Sequence, residues 1–322
     1  MNEVDWIRDL QSRFALPPSS TRLGIGDDAC ILTLGGHESL VATVDSMIEG
    51  VHFREGWLTD AELARRILRV SLSDIAAMGA EPRGWLLSLE TKTLPGRFGP
   101  AFLDGIQEDS EHFGVPLIGG NVTRTRGPIG LHSTVLGAVP IGTALRRDRA
   151  NCGDELWVSG EPGRARVALE SLLGTDDTTP REGPRLEAWK EPRPRLDLGI
   201  ALRVRDLASA AIDLSDGIGL DMSRLLEASR LGATIEVGPL SLDTGLPVST
   251  IIEGGEDYEL LFTASPEKRE WIEELSRELG VPLRVIGRTE ATPGLRAVRD
   301  DGQTVEIGVA TGWDPFRSGP ES

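Results

Sequence analysis

"TDAELARRILRVSLSDIAAMGA" (59–80) decides how the first half of the chain is built. Thr59 with Glu62 three residues on makes a capping box, each side chain closing onto the other's backbone N–H. Leu63, Ile67, Val70, Asp74 and Met78 then fall roughly on one stripe, and Gly79 suits the C-terminal stop. The spacing predicts an amphipathic helix with a carboxylate, Asp74, on or beside its buried face. An unpaired charge there is expensive, which makes Asp74 a candidate for chemistry.

Working outward, "SLVATVD" (39–45) reads as a strand ending on Asp45, and residues 4–15 as an amphipathic helix. Strands are expected at about 84–91 and 129–139, with a helix at about 98–113 between them. A second set opens with "ELWVSG" (155–160) and a helix from about 163, then a helix at 195–208, strand "AAID", a helix at 217–231 and strand "ATIEV". It closes with strand "DYELLFTA", helix "PEKREWIEELSREL" and short strands. The proline-rich, charged segment 174–194 reads as a surface loop. Alternating strands and helices make the chain α/β or α+β, in two halves with the boundary near 142–153.

Length agrees, because 322 residues suffice for two domains of about 150. The charge of 34 − 51 = −17 argues against a nucleic-acid binder and against docking on anionic membranes. If the substrate is a phosphate, metal ions or local donors must receive it. Cys30 and Cys152 are the two cysteines, so no disulfide framework or Cys-based metal site is expected. The opening "MNEVDWIRDLQSRF" is charged from Glu3 and does not read as a signal peptide. No apolar run nears the roughly 20 residues of a membrane span.

Acidic residues recur beside glycines and small apolar residues, in "GIGDDAC" (24–30), "VDSMIEGVHF" (44–53), "LSDIAAMGA" (72–80) and "IDLSDGIGLDM" (212–222). Magnesium takes oxygen ligands, typically a few carboxylates together with substrate phosphates. Asp27, Asp28, Asp45, Asp74, Asp213 and Asp216 are the candidates. Each alone also fits a turn former, a helix cap or a solvated charge, and Asp216 before Gly217 is a natural N-cap. Asp45, Asp74 and Asp213 end or interrupt apolar stretches, which calls for a metal or a distant basic partner. No Walker lysine motif and no dinucleotide fingerprint occur. "IGGNVTRT" (118–125) offers a glycine pair, and Arg146, Arg147 and Arg149 form the densest basic run, either solvated or an anion clamp. His52 follows the Asp45 strand.

In order, "GIGDDA", "VDSMIEGVHF", "LSDIAAMGAEPRG", "IGGNVTR", "AIDLSDGIGLD" and "GGEDYELLF" (254–262) resemble the thiamine-monophosphate kinases, within the superfamily of aminoimidazole ribonucleotide synthetase. The resemblance covers about residues 4–316. It implies a two-domain α/β (α+β) aminoimidazole ribonucleotide synthetase-like fold. Residues 1–145 would form the ATP- and metal-binding domain and a β-barrel-like dimer core, and residues 146–322 an α/β domain completing the active site. ATP would phosphorylate thiamine monophosphate directly, in line, with several Mg²⁺ ions, in a cytoplasmic homodimer. Asp28, Thr43, Val44 (through its carbonyl), Asp45, Asp74, Asp213 and Asp216 stand at the family's metal positions, with Asp45, Asp74 and Asp216 as the catalytic set. Gly120, Asn121, Arg147 and Ser215 stand at nucleotide positions. His52, Glu256 and Trp313 or Phe316 stand at the thiamine phosphate pocket, where an aromatic face suits a thiazolium cation.

One position departs from the family's pattern. Asn121 replaces an Asp that ligates metal, keeping a carbonyl oxygen but losing a charge. Weaker occupancy of one metal is the expectation. The alternatives are another ATP-using enzyme of the superfamily and an inactive nucleotide-binding homologue.

Overall fold

The structure, a computed structural model, describes residues 31–174, 184–236 and 245–298, together with 21–23, 25, 238, 241, 304–306 and part of 6–14. The chain divides into two units, Met1–Ala144 and Leu145–Ser322. Among the described residues no helix is long and apolar enough to cross a membrane.

In the first unit, β1 (Thr21–Leu23) pairs with β2 (Ile31–Leu32), and a four-stranded sheet follows. Its strands are β3 (Glu38–Ile48), β4 (Glu81–Thr91), β5 (Leu117–Arg124) and β6 (Gly130–Pro140), in the order β3-β6-β4-β5. Only β4 and β5 run parallel. Helix α1 (Asp60–Ala77) packs on one sheet face, and α2 (Pro100–Phe113) packs on α1.

The capping box forms as the spacing requires. Thr59 N–H donates to Glu62 Oε2 at 2.7 Å, and Glu62 N–H to Thr59 Oγ1 at 3.2 Å. Leu63, Ile67, Leu68, Leu72 and Ile75 are fully buried, each stabilising the unit by about 1.5–3 kcal/mol. Gly105 lets α2 reach α1 closely: a Cβ there would lie 2.6 Å from the Ala61 carbonyl oxygen.

The second unit carries β7 (Glu155–Ser159), α3 (Arg164–Leu173), α4 (Pro184–Lys190), α5 (Leu196–Val204), β8 (Ala210–Leu214), α6 (Ile218–Ser229) and β9 (Gly232–Ile235). Then come α7 (Val248–Glu253), β10 (Glu259–Ala264), α8 (Arg269–Leu279), β11 (Leu283–Glu290), β12 (Gly294–Val298) and β13 (Thr304–Glu306). The seven strands lie in the order β13-β12-β9-β11-β7-β10-β8. Leu156, Val158, Ile212, Leu214 and Leu261 on the strands meet Ile218, Met222 and Leu225 of α6 in one core. Trp157 and Phe262 stack at 6.1 Å between ring centroids.

One element departs from the sequence expectation. Part of the segment read as a surface loop is helix α4, and its Leu186 and Trp189 are buried. Pro184 occupies the first helical position, where no N–H is needed, while Pro192 and Pro194 lie beyond the helix end.

Candidate active site

Asp45 and Asp74 approach each other from different elements. Asp45 lies near the end of β3, and Asp74 opens the last turn of α1. A carboxylate is disfavoured at a helix C-terminus, where the helix dipole is negative. Thr43, two residues before Asp45 on the same strand face, donates its hydroxyl hydrogen to Asp74 Oδ2. Asp45 Oδ2 is buried and has no hydrogen-bond partner among the described residues. Burial pushes the Asp45 carboxyl up to about 6, helped by the charge of Asp74 and opposed by a hydrogen bond from Ser71. A buried, orphaned carboxylate oxygen beside a second carboxylate suits a divalent cation, which would satisfy both charges.

Strand register puts Gly120 on the same sheet face as Asp45, and Asn121 and Val44 on the opposite one. Asp45 pairs with Ser133, Ser133 with Leu87, and Leu87 with Gly120, so all four positions share the α1 side of the sheet. The neighbouring row, Ser46, His132, Ser88 and Asn121, shares the opposite face. Ser46 Oγ meets His132 Nδ1 at 2.8 Å, and Asn121 Nδ2 donates to Ser88 Oγ at 3.5 Å. Asn121 therefore faces away from Asp45 and lies three strand spacings from β3, roughly 14 Å. Val44 is 67 % exposed on that same far face, leaving only its carbonyl for a metal.

Gly120 has a packing reason, since a Cβ would sit 2.1 Å from the Leu87 carbonyl oxygen. His52 Nδ1 accepts the Ile48 N–H at 3.1 Å, which ties down the loop after β3.

In the second unit, Asp213 is buried near the end of β8, with Ser215 and Asp216 in the turn that follows. Asp216 does not cap α6, as its sequence position suggested. Gly217 is the cap residue, at φ 110°, with no side-chain cap bond, and Asp221 reaches back from the first helical turn to the turn before it. Asp221 Oδ2 accepts the N–H groups of Asp216 at 2.9 Å and Gly217 at 3.1 Å. Arg224 Nη1 bridges Asp216 Oδ2 at 2.5 Å and Asp221 Oδ1 at 2.7 Å. Burial pushes the Asp221 carboxyl up to about 6, against the backbone N–H of Asp216 and the guanidinium of Arg224. Asp148 engages Arg146 and Arg149, while Arg147 stands exposed and its carbonyl accepts the Ser229 hydroxyl at 2.7 Å.

The stretch 254–259 holds three acidic residues in three different states. Glu256 and Tyr258 adopt left-handed backbone angles, φ 68° and 52°, which non-glycine residues seldom do. Their N–H groups donate to the carbonyls of Ser215 at 2.7 Å and Leu214 at 2.8 Å. Glu256 Oε2 also accepts the indole N–H of Trp189. The Asp257 carboxylate caps α3, accepting from Gly163 N–H at 2.7 Å and Ala165 N–H at 3.2 Å. Glu259 is clamped by Arg195, Nε to Oε2 at 2.6 Å and Nη2 to Oε1 at 2.5 Å.

Burial pushes Asp257 up to about 8, outweighing its two backbone donors, with the charges of Glu259 and Glu256 adding to the rise. A carboxyl raised from its usual value near 4 contributes its stability in full below that value and loses it as pH climbs through about 8. An amide keeps one of the two acceptor oxygens and removes the charge. Asp257→Asn is expected to gain melting temperature relative to the parent between about pH 5 and pH 9, read by thermal melts. A constant offset across that range would refute the assignment.

Asp28, Trp313 and Phe316 lie outside the described residues. Among the described residues no group of three or more His, Cys, Asp or Glu side chains is gathered for a metal. The Asp216–Arg224–Asp221 bridge escaped sequence reading because its cation lies eight residues on, across two helical turns. Trp189 gave no signal beyond being an aromatic in a proline-flanked stretch.

Residues 26–139 match the family model for the AIR synthase related protein N-terminal domain, and residues 151–300 that for its C-terminal domain. The thiamine-monophosphate kinase of Salmonella typhimurium is 35 % identical over 288 residues, covering 86 % of this chain and 87 % of that protein. The crystal structure of thiamine-monophosphate kinase from Stenotrophomonas maltophilia K279a is similar, with a TM-score of 0.82 and 34 % identity over 94 % of this chain and 98 % of that one. A structure of AaThiL complexed with AMPPCP and TMP superposes with a TM-score of 0.72 and 26 % identity, covering 97 % and 96 %. The two-domain fold, the ordered motifs and these likenesses together place the chain in the thiamine-monophosphate kinase family of AIR synthase related proteins.

Proposed function

We propose that this chain transfers the γ-phosphoryl group of ATP to the phosphate of thiamine monophosphate, giving thiamine diphosphate and ADP. The observation that carries the reading is the buried, unpartnered Asp45 oxygen beside Asp74, in a chain of this family. Mg²⁺ bound at Asp45 and Asp74 would neutralise charge between two phosphate-bearing reactants, whose repulsion is the main barrier. Thr43 steadies Asp74 through its hydroxyl, and Ser71 steadies Asp45. The acceptor is already an anion, so no strong general base is required of the chain.

Nucleotide contacts belong to Gly120, Asn121, Arg147 and Ser215 in this reading, and further metal contacts to Asp213 and Asp216. Glu256 and His52 belong to the thiamine phosphate pocket. A structure of the fold holding both AMPPCP and TMP supports the pairing of these two ligands. ADP release with thiamine monophosphate, ATP and Mg²⁺ tests the activity. Release that does not depend on thiamine monophosphate would point to another acceptor, and no release to an inactive homologue. A cytoplasmic location, where ATP is supplied, belongs to the same proposal.

We assign Asn121 to a different cation from the Asp45–Asp74 one, because within a chain it lies across the sheet from them. Asn121→Asp is then expected to lower the Mg²⁺ concentration for half-maximal rate. An unchanged requirement would remove Asn121 from the metal set.

A homodimer is also part of the reading. The sheet face opposite α1 exposes Leu40 by 50 % and Val44 by 67 %, with Leu86 and Leu136 half-buried beside them. A second copy laid on this face would cover them. Val44→Glu is expected to convert the dimer to monomer in light scattering, and an unaltered mass would count against this face.

A further inference from the structure

We infer that Trp189 is a positioning residue for Glu256, setting its carboxylate toward the cationic end of the phosphate-bearing substrate. This rests on the reading of Glu256 as a substrate contact. The run Glu256-Asp257-Tyr258-Glu259 is received, acid by acid, by the segment 163–195. Asp257 caps α3 at Gly163 and Ala165, Trp189 of α4 bonds Glu256, and Arg195 clamps Glu259.

The three partners differ in chemistry, and the difference selects Glu256. Arg195 cancels the charge of Glu259, and burial pushes Asp257 toward its neutral form. An indole N–H is a donor only and carries no charge. The bond orients the Glu256 carboxylate and itself adds no positive charge to it.

The backbone points the same way. Glu256 is held left-handed at φ 68°, with its N–H on Ser215 O at 2.7 Å, and Tyr258 at φ 52°. Such conformations in non-glycine residues persist where surrounding contacts over-determine them, and they gather at ligand sites. Trp189 itself is fully buried on a helix of seven residues. Its ring is locked by packing, so its N–H direction is fixed before any ligand arrives. Preorganisation of this kind lowers the cost of binding.

The test is steady-state kinetics with thiamine monophosphate and ATP varied separately, plus melting curves to confirm folding. Trp189→Phe removes the donor and keeps most of the ring. Its KM for thiamine monophosphate should rise about tenfold, the usual scale for a lost bond to a charged group, with kcat and the KM for ATP unchanged. Trp189→His, which retains a ring N–H, should recover most of that loss. In the double variant with Glu256→Gln, the two effects should fail to add.

An unchanged KM for thiamine monophosphate in Trp189→Phe, while Glu256→Gln raises it, overturns the inference and leaves the role of Glu256 standing. A rise in both KM values together with a fall in kcat would show a structural role only and also overturn it. If Glu256→Gln itself leaves KM unchanged, the substrate reading and the inference fall together.

Discussion

Asp45→Asn is expected to lose about a hundred- to a thousandfold of kinase turnover while melting no lower than the parent in metal-free buffer. The loss follows from its place. A group holding a cation against transferring phosphates acts where transition-state charge develops, and removing one such contact typically costs 10²–10³-fold. The unimpaired melt follows from the same geometry read without metal. Asp45 Oδ2 is buried with no partner among the described residues, and burial together with the Asp74 charge opposes its ionisation. An amide of the same shape removes that repulsion. Activity by ADP release and stability by melting temperature should therefore move independently. Near-parental turnover would refute the metal role, and a large fall in melting temperature would show that Asp45 is structural instead.

Arg195→Ala should have the largest effect on stability. It would leave Glu259, 8 % exposed, without the guanidinium that grips both its oxygens. Breaking a buried pair in this way typically costs about 3–5 kcal/mol, which in a unit this size lowers the melting temperature by on the order of 10 °C. Ser159, which also donates to Glu259 Oε2 at 2.5 Å, cannot supply the missing charge. Adding Glu259→Gln should restore much of the loss, because the stranded charge is then gone. A single variant that melts like the parent would mean that water already shares this pair.

Most of the regular structure was legible because each element obeys a local period. Helix α1 announced itself through Thr59, Glu62 and a stripe of apolar residues, and the structure keeps all three features. Asp74 and Asp45 were legible as carboxylates in apolar settings; what was not is that, among the described residues, each faces the other and no basic side chain, because the two lie 29 residues apart on different elements. What stayed hidden depends on contacts distant in sequence. Nothing local in Glu256 or Tyr258 favours a left-handed backbone; bonds to Ser215 and Leu214 impose it. Helix α4 was obscured by flanking prolines, whose consequence depends on whether they fall at a helix start or beyond its end. Asp216 looked like a cap because the turn before a helix favours Asp, yet the cap position falls on Gly217, and the Asp216 side chain pairs with Arg224, eight residues on.

Val44 and Asp45 are adjacent in the chain and look in opposite directions across the β3 sheet. On the function and the dimer proposed above, the metal-binding and self-associating faces would share one strand in alternating phase. Inserting or deleting a single residue before position 44 would exchange the two, turning the carboxylate outward and the valine toward Asp74. Such an indel should therefore be far more damaging than any point change on this strand, since it forfeits both properties at once.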